Sequence, residues 1–502
     1  MYFEEVKLKR KSKTYRSFLI RESYRFKGKV CHRTVCNISQ LPAHVIEQIR
    51  LSFKTPGSAL TFSSLNVERS REYGASFALL DLARQLGLDK LIYSRKEPWR
   101  ENALALIIGR IVCQGSKLSL VNMHPDTALW ELCGHCPTRK PDVDEDAYEV
   151  MDHLLQRQEA IQRALVARHI KKGALIYYDM TSTYFEGEYE GSDLVTFGYN
   201  RDRKRGHEQV AIGLLTDSRG CPVAVEVFRG NTNDQSTVAE QARRLSECYG
   251  VKDIIFAGDR GMLTPKRIEE VSAMDFKTLT ALSHPQIVDL LERKVVQLEL
   301  FDEEQIAEVR DPDNQTLRYL LCKNPKRAAE ETETRKALVE KTRQALDKIA
   351  SSRRKHSDQD ISASVGVILK KWHTGKFFTW SVDKAKLSFE IKHSLIETEE
   401  SLDGCYIIRT DVSDQLWSAQ EAVEHYRGLA QIERAFRNLK TVSLEMRPVY
   451  HQKDDRIRAH VFLCMLAYYI QWHALDLLKP LFEENGEGKH RCWTWPVILE
   501  QL

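Results

Sequence analysis

Two apolar runs that each break on an aspartate limit most sharply what this chain can fold into. LIYYDMTSTYF (175–185) reaches Asp179 and then meets a polar cluster. FAGDRGM (256–262) reaches Asp259, after which Arg260 and Gly261 turn the chain away. Short apolar runs of this kind, rich in β-branched and aromatic residues, read as buried strands. Two strands that each carry an acid to their C-terminal ends predict a shared polar site at one edge of an α/β sheet.

The neighbouring pattern extends that sheet. HEQVAIGLLTD (207–217) and CPVAVEVFRG (221–230) form a hairpin through Ser218-Arg219-Gly220. DQSTVAEQARRLSECYG (234–250) is a helix capped from Asn233 or Asp234, and Pro265 opens another. FKTLTAL (276–282) is a further strand. The order β-β-β-α-β-α-β, with acids at the ends of the first and fourth strands, predicts an α/β fold with a ribonuclease H-like core.

The other segments divide by composition. Residues 1–60 hold TYRSFLIRESYRF and KVCHRTVCNI, a β-hairpin turning at Lys27-Gly28-Lys29, followed by a helix over 41–53. Residues 61–172 show apolar positions at helical spacing. Residues 173–282 carry the first part of the core. Residues 283–400 interrupt it with an α+β insertion, and 401–475 complete it with the strand LDGCYIIRTD and a long helix over 418–440. Residues 476–502 form a C-terminal tail, and the chain stops within the helical-looking WTWPVILEQL, so a truncated end is expected. VFLCMLAYYI (461–470) is too short to span a bilayer and reads as a core helix.

Composition places the chain among folded proteins with room for about two to four domains; it has 502 residues, 42% hydrophobic and 29% charged. The net charge of +4 is unevenly spread. Residues 1–60 carry thirteen Lys/Arg against four acids, so this segment is +9 and the remainder −5. A basic arm on a near-neutral body suits either a polyanion such as DNA or a solvated surface. Lys9, Arg10 and Lys11 head the DNA-binding candidates. The eleven cysteines follow no secretory signal, which fits a reduced, cytoplasmic protein without membrane attachment. Cys133 and Cys136 lack a second ligand pair, so no zinc site is expected.

Asp179 and Asp259 need a third partner, and Glu433 is the candidate. On a continuous helix Tyr426, Glu433 and Lys440, seven residues apart, share a face. Three converging carboxylates suit two Mg²⁺ or Mn²⁺ ions and in-line displacement at phosphorus. Arg260, Arg427, Arg437 and Lys440 could grip phosphates, and Tyr426 could stack on a base. Separately, a strand-end aspartate can be a turn former and a helical glutamate a surface ion pair.

Several longer stretches then carry a resemblance: YYDMTSTYFEG (177–187), FGYNRDRKRGHEQVAIGLLTDSRGCPVAVEVFRGNTNDQST (197–237), FAGDRGM, LDGCYIIRTD, YRGLAQIERAFRNLK (426–440) and RPVYHQKDDRIRAHVFLCMLAYYI (447–470). In this order they resemble the DDE transposases of bacterial insertion sequences, of the insertion-sequence-four superfamily and its 1634-type branch. The resemblance implies that Asp179, Asp259 and Glu433 are the catalytic, metal-holding acids. It implies cutting at terminal inverted repeats and joining of 3′-OH ends to target DNA, by a homodimer in a synaptic complex that associates with the nucleoid. Arg203, Lys204 and Arg205 fall in the second of these stretches and join the DNA-binding candidates. The superfamily pattern Tyr-x2-Arg-x3-Glu-x6-Lys is met at Tyr426, Glu433 and Lys440, while Leu429 stands where it has arginine. Two other readings remain open: a silent, end-binding repressor, and a nuclease of the same fold without strand transfer.

Overall fold

The structure, a computed structural model, describes the chain apart from residues 11–12, 55–69, 137–138, 188, 202–203, 205, 302–304, 353–356, 443, 448 and 484–491, and apart from the side chains of residues 9, 10, 13–15 and 442. Two compact units emerge, Met1–Ser70 and Arg71–Leu502.

The first unit is a three-stranded antiparallel sheet, β1 (Tyr2–Arg10), β2 (Lys13–Phe26) and β3 (Lys29–Asn37), followed by the helix Ala43–Lys54. The turn between β2 and β3 places both Lys27 and Gly28 at positive φ, 49° and 78°, as a two-residue hairpin turn requires. The sequence pattern points to β2 and β3 but not to β1. Val6 and Leu8 alternate with Lys7 and Lys9, a strand period obscured by the density of charge.

The second unit is built on one mixed sheet of eight strands. In chain order these are β4 (Leu175–Tyr184), β5 (Gln209–Asp217), β6 (Pro222–Arg229), β7 (Ile255–Ala257), β8 (Lys277–Ala281), β9 (Ala307–Arg310), β10 (Arg318–Lys323) and, after a separate hairpin β11 (Phe378–Asp383) and β12 (Lys386–Ile391), β13 (Cys405–Thr410). Their spatial order is β6-β5-β4-β7-β8-β13-β10-β9. β4 pairs antiparallel with β5 and parallel with β7, and β7 is parallel to β8. β5 is buried throughout, as expected of a strand covered on both faces. The helix Asp454–Leu477 is buried over Val461–Ile470 and packs against β6 and the helices Pro98–Val112 and Glu149–Gln156. Among the described residues no helix is long and apolar enough to cross a membrane.

Residues 283–400 are not one inserted body. β9 and β10 extend the main sheet, with β13 between β8 and β10. The apolar alternation of Tyr319, Leu321 and Ile407 explains this, because those residues share a buried cluster with Leu282 and Ile287. Only the helices Pro325–Ala350 and Asp358–Trp372 and the β11–β12 hairpin gather around a core of their own, Leu346, Ile361, Val365 and Phe378 among them. Arg335 pairs with Asp403 and ties that group back to the start of β13.

Candidate active site

The two aspartates arrive side by side. The last rung of the parallel β4–β7 pairing joins Tyr177 to Ala257. Asp179 and Asp259 each lie two residues beyond that rung, Asp179 still within β4 and Asp259 just past the end of β7, near enough for their charges to interact. Each carboxylate accepts the backbone N–H of the next residue: Asp179 Oδ1 from Met180 N and Asp259 Oδ1 from Arg260 N, both at 2.7 Å. Asp259 then opens a turn in which its carbonyl accepts from Met262 N and Leu263 N. The expectation that both acids end a strand holds for Asp259 but not for Asp179. β4 continues to Tyr184 because β5 pairs with it from Ile176 to Tyr184, so Asp179 lies in mid-strand.

Burial pushes the Asp179 carboxyl up to about 7. The Met180 N–H and Arg201 oppose this, and the charges of Asp259 and Asp234 add to it. Arg201, paired with Asp234 and bound through its N–H to Ser182 Oγ, is a residue that sequence reasoning missed. It heads the basic run 201–205, and that run was the signal that could have found it. Lys204 stands over the Tyr184 ring, 4.8 Å from its centroid. Arg203, Arg205 and Lys11 lie outside the described residues, as do the side chains of Lys9 and Arg10.

The segment carrying Glu433 is not one helix. It divides into Ala419–Arg427, Ala430–Arg437 and a π turn over Asn438–Val442. The break falls at Gly428, where an added Cβ would lie 1.9 Å from Tyr177 Oη. That hydroxyl donates to the His425 carbonyl at 2.8 Å. Tyr177 thus wedges into the chain just before the glutamate. At the other end Lys440 Nζ donates to Thr181 Oγ1 at 2.8 Å. Tyr177, Asp179 and Thr181 alternate along one face of β4, so the segment crosses that face on both sides of Asp179.

Tyr426, Glu433 and Lys440 meet different surroundings along this segment. Tyr426 is partly buried beside Asp259, and burial followed by that charge pushes its hydroxyl up to about 12. Glu433 is exposed and makes no side-chain hydrogen bond or ion pair among the described residues. Lys440 is buried at 8% exposure, holding helix to strand rather than facing solvent. Among the described residues the three acids are not gathered into a ligand cluster. Leu429 packs against the main core. Arg437 is exposed, and Arg427 donates to Tyr406 Oη at 3.0 Å. Asp259, Arg260, Tyr426 and Arg427 line a cleft of about 1170 Å³ whose lining also includes Arg327 and Arg335.

Residues 178–470 match the family model for the transposase DDE domain. The chain belongs to the DDE transposases. Residues 3–55 match the model for the N-terminal domain of IS1634 family transposases, which places the transposase in that branch. The second match spans the three-stranded sheet except Tyr2, together with its helix. No curated protein matches the transposase. Two solved structures align with it at low similarity. A piggyBac transposase synaptic complex with hairpin DNA is 9% identical with a TM-score of 0.37, covering 84% of this chain and 76% of that one. A Mos1 transposase paired-end complex with the left transposon end is 13% identical with a TM-score of 0.16, covering 48% and 68%.

Proposed function

We propose that this transposase cuts DNA at the terminal inverted repeats of an insertion sequence and joins the freed 3′-OH ends to target DNA. In this reading the core is ribonuclease H-like, and Asp179, Asp259 and Glu433 hold two divalent ions, Mg²⁺ or Mn²⁺. The observation that carries the reading is that adjacent parallel strands, last paired at Tyr177 and Ala257, bring Asp179 and Asp259 together, each two residues beyond that pair. The strand order β6-β5-β4-β7-β8, three antiparallel strands followed by two parallel ones, supports the core assignment.

The donor set fits hard cations. Each aspartate commits Oδ1 to a backbone N–H, which fixes the carboxylate and leaves Oδ2 for a cation. When bound, the ions neutralise charge on the phosphodiester and favour loss of the proton from the attacking oxygen. Glu433 supplies the third carboxylate from the segment pinned at Tyr177 and Thr181. Arg260 and Arg427 grip backbone phosphates in the cleft, where Tyr426 offers a ring to a base. Arg437 and Lys204 extend this contact, and the basic sheet of residues 1–60 binds the transposon ends. A homodimer brings two ends together.

A labelled end fragment incubated with the protein and Mg²⁺, beside Asp259→Ala and an EDTA control, tests this. The expected result is a cut at the repeat boundary that needs both metal and Asp259, followed by joined products. Specific binding without any cut in Mg²⁺ or Mn²⁺ would favour the end-binding repressor. A cut without joining would favour a nuclease.

A further inference from the structure

A second group of ligand-bearing side chains lies away from the acids. His169 ends the helix Gln158–His169, Cys221 follows the β5–β6 turn and His473 lies on Asp454–Leu477. One ligand atom from each lies within 4.8 Å of the others. We propose that His169, Cys221 and His473 bind a zinc ion that clamps these three elements together.

The hydrogen bonds around the cluster are those a metal-binding imidazole needs. His169 Nε2 lies 3.0 Å from Tyr469 Oη, which also accepts from Arg168 at 3.2 Å. An N–H at Nε2 leaves the lone pair on Nδ1, turned toward Asp217 Oδ2 at 3.7 Å. With the proton on Nε2 the Nδ1 lone pair is open to a cation, whereas with it on Nδ1 the ring faces Asp217 as a donor, so metal binding selects the Nε2–H tautomer. A partner on the far ring nitrogen is the arrangement that orients a metal-bound histidine.

Cys221 Sγ is fully buried, 3.9 Å from His473 Nε2. With Zn–N near 2.0–2.1 Å and Zn–S near 2.3 Å, tetrahedral edges are about 3.3–3.7 Å, so small side-chain shifts close the site. Two imidazoles and a thiolate suit zinc better than Mg²⁺. Binding sends the thiol proton to solvent. Asp217, whose Oδ1 already accepts from Arg219 N and Cys221 N, is the nearest carboxylate for the fourth corner.

The clamp bears on the glutamate segment. Gly220, next to Cys221, lies so close to Gln431 that an added Cβ would sit 2.9 Å from Gln431 Cβ. Fixing this turn fixes the surface beneath the helix Ala430–Arg437.

The test uses the full chain, stripped by chelation and titrated with Co²⁺, then with Zn²⁺. A thiolate-to-cobalt charge-transfer band with tetrahedral d–d bands is expected, displaced by Zn²⁺. The band should vanish in Cys221→Ala, and His473→Ala should weaken zinc binding at least tenfold. It should persist in Asp259→Ala and Cys133→Ala, which separates this site from the carboxylates and from Cys133 and Cys136. X-ray absorption of the zinc-loaded wild type needs no variant, and a shell with sulfur and two imidazoles is expected. No thiolate-to-cobalt band in wild type, a band undiminished in Cys221→Ala, or a shell without sulfur would overturn the proposal.

Discussion

Lys440 Nζ donates to Thr181 Oγ1 across 2.8 Å, and this buried bond joins the glutamate segment to the strand that bears Asp179. Removing the hydroxyl takes an acceptor from a lysine that is only 8% exposed. Thr181→Val should therefore lower stability by about 1–3 kcal/mol in urea unfolding, while Thr181→Ser keeps the oxygen and most of the stability. End cutting should follow the same order. A Thr181→Val protein as stable and as active as wild type would show that the bond does not position the segment.

The Asp179 carboxyl is held up to about 7, chiefly by burial and also by the charges of Asp259 and Asp234. Its unfolded value is about 3.9. Between those values the folded chain holds more protons than the unfolded one, so the contribution of Asp179 to stability falls as pH rises through the window. Asp179→Asn carries no charge to desolvate. In EDTA it should match wild type near about pH 4 and exceed it by about 1–3 kcal/mol near about pH 8. An unchanging difference across that range would contradict the assignment. The same variant should lose DNA cutting, as expected where a site is built for function at the expense of stability.

How much of this could be read from the chain depends on where the determining contacts lie. The strands of Asp179 and Asp259 were legible because local apolar runs and turn residues specify them. Their approach to one another was not, since it depends on Tyr177 pairing with Ala257 across the sheet. The continuous helix expected over 418–440 fails at Gly428 because a tyrosine from a distant strand enters there. Lys440, an expected DNA contact, is a buried tie to Thr181, a contact between distant segments that the sequence does not display. β9 and β10 read as part of an insertion because sequence order does not show which sheet a strand joins. His169, Cys221 and His473 come from three distant elements with no spacing to betray them.

The basic first unit leads to a prediction that needs no side-chain geometry. Residues 1–60 carry +9, and Lys9, Arg10 and Lys11 lie at the end of β1 and just beyond it. Reversing all three to glutamate should weaken binding to an end fragment and flatten its salt dependence. The slope of log K against log salt should become shallower by about 0.9 for each phosphate that is no longer neutralised. Unchanged affinity across a salt titration would remove this unit from the DNA-binding surface.

Tyr177 and Gly428 provide the sharpest test of the helix break. A Cβ on residue 428 would lie 1.9 Å from Tyr177 Oη, 2.8 Å from Cζ and 2.9 Å from the His425 carbonyl. The tyrosine side chain is buried in the main core and cannot swing out without opening a cavity. Gly428→Ala should thus destabilise the protein by about 1–3 kcal/mol even though alanine favours helix more than glycine does. Tyr177→Phe removes the nearest clashing atom along with the bond to His425. In the double variant part of the stability should return, a favourable coupling between neighbouring residues. Cutting should fall more in Gly428→Ala than in Tyr177→Phe, because the added methyl displaces the segment carrying Glu433, whereas removal of the hydroxyl only loosens it. Additive effects of the two single variants on stability would show that Tyr177 does not set the break.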